Sequence, residues 1–141
     1  MSSSKKTPEL ASSRSTAHGT LGSGALERIP VFFYRTETGN EPVRQWLKAM
    51  ESEDRCLIGE DIKTVEFGWP VGMPTCRSLG EGLHEVRTNL PGNRIARVIF
   101  YVESKQRMVL LHGFIKKTRA TPDADLDLAR ANKRKHERGM Q

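Results

Sequence analysis

The sequence is poor in the residues that metal, disulfide and membrane proteins rely on. It has only two cysteines, Cys56 and Cys76, with nineteen residues between them. Neither sits in a metal-ligand spacing, so zinc is not expected. No apolar run approaches the roughly 20 residues of a membrane-spanning helix, and the N-terminal residues lack the apolar stretch of a secretory signal. The expected compartment is therefore the cytoplasm, with both thiols reduced. There is no internal repeat.

What is present fits one compact domain. The 141 residues are 36% hydrophobic and 28% charged, a soluble globular balance. The net charge of +6 is unevenly placed. Residues 77–141 hold 14 Lys and Arg against 7 Asp and Glu, whereas residues 1–76 hold 9 against 10. The positive field thus belongs to the second half, where it would attract phosphates and speed encounter with nucleic acid.

Residues 1–28 are rich in Ser, Gly, Thr and Ala and poor in large side chains. Such a stretch cannot bury enough surface to offset its ordering entropy, and a disordered tail is expected there. The folded domain is expected over residues 29–138. It opens with Ile29-Pro30-Val31-Phe32-Phe33-Tyr34-Arg35, a β-branched and aromatic run suited to a buried strand. Asn40, Glu41 and Pro42 then start a helix, with Asn40 as its cap, and Val43, Trp46, Leu47 and Met50 form its apolar stripe. A second helix is predicted from Glu53 to Phe67, with Leu57, Ile58, Ile62 and Val65 inward and Gly68 at its end. The two prolines and two glycines between Gly68 and Pro74 dictate a loop.

Three strands follow. Leu83 to Arg87 lies between Gly80, Gly82 and the turn Pro91-Gly92-Asn93. Arg94 to Val102 alternates, with Ala96, Val98, Phe100 and Val102 expected toward the helices. Met108 to Ile115 is apolar on both faces, as a central strand would be. The short connections favour an antiparallel meander. Thr121, Pro122, Asp123 and Asp125 read as the start of a terminal helix capped by Thr121. The predicted class is α+β, in the order β-α-α-β-β-β-α, with a small, mainly antiparallel sheet packed on the N-terminal helical hairpin.

Three blocks carry a resemblance. They are Leu79-Gly80-Glu81-Gly82-Leu83-His84-Glu85-Val86-Arg87, then Arg97-Val98-Ile99-Phe100-Tyr101, then Val109-Leu110-Leu111-His112-Gly113-Phe114-Ile115-Lys116-Lys117-Thr118 before Thr121-Pro122. In this order they resemble the phage-derived, HigB-like branch of the RelE/ParE toxin superfamily, over about residues 30–138. The resemblance implies a toxin of a type II toxin–antitoxin system that cuts messenger RNA at the ribosome without a metal or other cofactor. Other members of the superfamily bind DNA gyrase instead, and an inert phage-derived relative is a third reading. It also implies a helix-turn-helix antitoxin as partner, with operator DNA engaged only through the complex, and no membrane partner.

Metal-free RNA cleavage needs a group to take the ribose 2′-hydroxyl proton and fixed positive charge at the phosphorane-like transition state. The resemblance assigns the charge to Arg87, Arg97, Lys116 and Lys117. His112 is the first candidate for the proton, with His84 and Glu85 as others, since imidazole titrates near neutrality. Arg94, His84, Arg119 and Tyr101 are expected to contact RNA, Tyr101 through stacking. Some relatives place a tyrosine just past the basic pair, where this chain has Arg119-Ala120-Thr121.

Overall fold

A computed structural model describes residues 28–117 and 120–139. The elements are β1 (Val31–Phe33), α1 (Pro42–Lys48), α2 (Ser52–Gly68), β2 (Cys76–Gly80), β3 (Leu83–Leu90), β4 (Arg94–Val102), β5 (Met108–Lys116) and α3 (Asp123–Gly139). One five-stranded sheet runs β1-β5-β4-β3-β2. The fold is α+β as expected, with two departures. The chain forms a further strand, β2, where only a loop and turn were predicted. And β1 joins β5 in parallel, so the antiparallel meander of β2 to β5 sits in a mixed sheet. The expected tail lies outside the described residues except for Arg28.

The sheet is covered on both faces. On one, Ala96, Val98 and Phe100 of β4 meet Val43 and Leu47 of α1 and Ile58, Ile62 and Val65 of α2, as the alternation predicted. On the other, Ile99 and Tyr101 of β4 and Val109, Leu111 and Phe114 of β5 pack under Ala129 of α3. Positions 58, 62 and 65 lie one turn apart, so a single stripe of α2 faces the sheet. Arg28 pairs at 2.7 Å with the buried Glu66 of α2, and the Ile29 amide donates to the Glu66 carbonyl at 3.0 Å. The start of the fold is thereby tied to the hairpin.

Asn40 does not cap α1. Glu41 holds that position, while the Asn40 side chain donates to the Thr38 hydroxyl and its amide to Thr36 Oγ1, within the preceding turn. Gly80, Glu81 and Gly82 all have positive φ, which a glycine-flanked turn accommodates, and they close the β2–β3 hairpin.

His84 faces the helical hairpin, its ring stacked on Phe100 and edge-on to Trp69. Burial pushes its pKa below the ordinary value. A base with a depressed folded pKa binds fewer protons folded than unfolded, so the stability it contributes is complete above about pH 6.5 and is lost as pH falls below that value. Thermal melting should therefore show a midpoint that drops between pH 7 and pH 5. His84→Gln, which cannot titrate, should reduce that dependence and leave the part contributed by His136, whose pKa burial also lowers.

Candidate functional site

The face under α3 gathers the charge. In register, Arg77 of β2 stands opposite Glu85 of β3, and Arg87 of β3 opposite Arg97 of β4, which in turn faces Phe114 of β5. Alternation puts all of these side chains on one side of the sheet. Glu85 and Arg97 are fully buried. Glu85 Oε2 lies 3.8 Å from Arg77 Nη1, 4.0 Å from Arg87 Nε and 3.8 Å from Arg97 Nε. Three guanidinium groups from three strands thus surround one carboxylate.

Burial lowers the pKa of Arg97, with the neighbouring Arg87 and Arg77 acting in the same direction and Glu85 opposing them. An arginine stays charged regardless, so the effect shows how crowded with positive charge this spot is. Arg77 and Arg87 reach the surface, whereas Arg97 forms the floor, its guanidinium 5.9 Å from the centre of the Phe114 ring.

His112 adjoins this cluster. Its ring stacks on Phe114, and its Nε2 lies 2.7 Å from Asp125 Oδ1 in the first turn of α3. An ionised carboxylate only accepts, so Nε2 carries the proton of this bond, and Nδ1 is the acceptor of the neutral ring. A single inserted residue makes the arrangement possible. The pairing shifts between Ile99 and Phe100, so that Phe100 faces Leu110 and Ile99 faces His112, with Leu111 between them. The Leu111 carbonyl is taken up by Asn132 Nδ2 at 2.9 Å, and the bulge is held by α3.

The other sequence candidates fall elsewhere or at the margin. Lys116 pairs with Ile95 at the exit of β5, on the same face as Arg97, and Lys117 follows it; both are exposed. His84 lies on the opposite face. Arg94 forms a two-pronged bond with Asp54 of α2, at 2.9 and 3.2 Å, remote from the cluster. Tyr101 is buried, with Lys133 Nζ 5.2 Å from its ring centre, and burial pushes its pKa up to about 12. Its geometry suits the core better than base stacking. Arg119 lies outside the described residues.

Arg77, Asp125 and Thr121 belong to the site without having been singled out as functional. The signal for Arg77 was the glycine pair at 80 and 82, which needs a strand before the turn as well as after it. Thr121, read as a helix cap, instead donates its hydroxyl to Glu85 Oε1 at 2.8 Å. Nothing local in the sequence announces that contact across 36 positions.

The arrangement offers two surface guanidiniums, a buried third and an imidazole oriented by a carboxylate. Such a set can grip a phosphodiester and hold a proton acceptor beside it. The chain also matches a family described as Phage derived protein Gp49-like (DUF891), over residues 45–134, a span that includes every residue of this cluster. No curated protein matches it.

Proposed function

Because the chain belongs to the phage-derived Gp49-like family, a RelE-like toxin family of toxin–antitoxin systems, we propose that it is a type II toxin that cleaves messenger RNA on the ribosome. The observation that carries this reading is the convergence of Arg77, Arg87 and Arg97 on one face with the His112–Asp125 pair beside them. Arg87 and Arg77 hold the scissile phosphate through guanidinium N–H groups, and Arg97 adds positive charge from below. His112 Nδ1 takes the proton of the ribose 2′-hydroxyl as that oxygen attacks the adjacent phosphorus. The P–O5′ bond breaks as water protonates the departing oxygen, leaving a 2′,3′-cyclic phosphate and a 5′-hydroxyl. Asp125 keeps the imidazole in the tautomer that can accept and stabilises its protonated form. No metal is needed, since fixed cations supply the charge. Lys116 and Lys117, at the rim, extend the attraction to neighbouring phosphates.

The partner in this reading is a cognate helix-turn-helix antitoxin that covers the cationic face and, in complex, binds the operator. Brief induction in a bacterial host followed by transcript-end mapping tests the function. Codon-phased cuts bearing 5′-hydroxyl ends are expected within minutes. Intact transcripts accompanied by DNA damage would point instead to gyrase, and intact transcripts with normal growth to an inert relative.

A further inference from the structure

Glu85 has no task in the chemistry just described, yet it sits at the centre of the cluster. Its two oxygens are used differently. Oε1 accepts the Thr121 hydroxyl at 2.8 Å, at the entry to α3. Oε2 has no hydrogen-bond donor among the described residues, but three guanidinium nitrogens surround it at 3.8 to 4.0 Å. A carboxylate committed to one guanidinium closes to hydrogen-bond length, as Asp54 does with Arg94 at 2.9 and 3.2 Å. Near-equal spacing from three cations is the geometry of a shared counter-ion.

Three guanidiniums and one carboxylate leave a net charge of +2. Without the carboxylate, three like charges would repel, and the two mobile arginines would spread toward solvent or follow whatever phosphate arrives. Donors that move with the substrate bind ground state and transition state alike and add nothing to the chemical step, whereas donors fixed beforehand favour the charge that develops in the transition state. Arg77 and Arg87 are partly exposed while Glu85 is fully buried, so the carboxylate acts on them from beneath and leaves their outer N–H groups free for a ligand.

We propose that Glu85 is a positioning residue, a buried counter-ion that presets Arg77 and Arg87 for the phosphate under attack and, through Thr121, fixes the start of α3 to the same point. The role rests on the nuclease reading given above. It also separates affinity from rate. Glu85→Gln is nearly the same size and leaves the cluster more positive.

The test uses the full-length protein on messenger-programmed ribosomes, with a cleavable RNA and with the same RNA carrying 2′-O-methyl groups that block attack. Glu85→Gln should bind the blocked RNA at least as tightly as the wild type, and should cleave saturating RNA about 10²-fold more slowly. Equal cleavage, or affinity and rate lost together in a folded variant, overturns the proposal. Should Glu85→Gln not fold, Glu85→Asp replaces it. Its carboxylate retracts from the guanidiniums, so slower cleavage at unchanged affinity is expected, and wild-type cleavage overturns the idea. If the wild-type protein cuts no RNA, the nuclease reading fails on its own. Glu85 is then judged by the side-chain order of Arg77 and Arg87 in nuclear magnetic resonance relaxation, which should be high in the wild type and low in Glu85→Gln. No difference between the two overturns the proposal.

Discussion

Replacing Arg87 with alanine should lower RNA cleavage by about 10²- to 10³-fold, the usual loss when one preorganised donor to a developing oxyanion is removed. Growth arrest on induction should disappear with it. Arg87 is suited to this test because its side chain is partly exposed and Glu85 keeps Arg77 and Arg97 as partners when it is gone, so the fold should survive. The thermal midpoint of Arg87→Ala, measured alongside, should stay near that of the wild type. Arg87→Lys should recover only a small part of the activity, since an ammonium is a point charge and cannot offer the paired N–H groups of a guanidinium. A folded Arg87→Ala that still arrests growth would remove Arg87 from the chemistry.

Gly113→Ala should be the most destabilising single-methyl change in the sheet. A Cβ at this position would stand 2.5 Å from two carbons of the Trp46 ring, well inside van der Waals contact. Gly113 lies inside β5, paired with Val98, and the half-buried Trp46 packs against the core from α1, so relief requires either the strand or the indole to shift. Overpacking of this kind costs about 1–3 kcal/mol, and the upper end is expected because backbone lies on one side and a rigid indole on the other. Denaturant unfolding measures it directly. Trp46→Leu, which vacates part of the space, should reduce the added cost of Gly113→Ala. Equal stability of Gly113→Ala and the wild type would mean that the indole swings aside freely.

Local pattern carried much of the fold and little of the site. The alternation of β4 told correctly that Ala96, Val98 and Phe100 face the hairpin, because a strand's period of two is written in consecutive residues. The spacing of Ile58, Ile62 and Val65 did the same for α2. Cys76-Arg77-Ser78-Leu79-Gly80 escaped because it lacks β-branched residues and ends in glycine, so its pairing with β3 comes from the hairpin turn rather than from propensity. The parallel contact of β1 with β5 joins residues more than seventy positions apart, which no local period records.

For the site, Glu85 and Arg87 could be seen to share a face, being two residues apart on a strand. That Glu85 would be wholly buried could not, since this depends on Arg77, Arg97 and Thr121 arriving from distant parts of the chain. His84 had the right chemistry but the wrong parity, one step from Glu85 and hence on the other side of the sheet. Arg94 and Tyr101 were plausible by residue type, and tertiary packing gave them to Asp54 and to the core beneath α3.

The extra residue at Leu111 sets the handedness of everything after it. Val109 and Leu111 point toward α3, and strict alternation would send His112 and Phe114 the opposite way. The insertion reverses odd and even, so that the imidazole and Phe114 come up beneath α3 while Gly113 turns down to meet the indole of Trp46. Chain length in this strand is therefore a two-state switch: evolution can exchange side chains here one at a time, but losing a single residue would turn chemistry and packing inside out together.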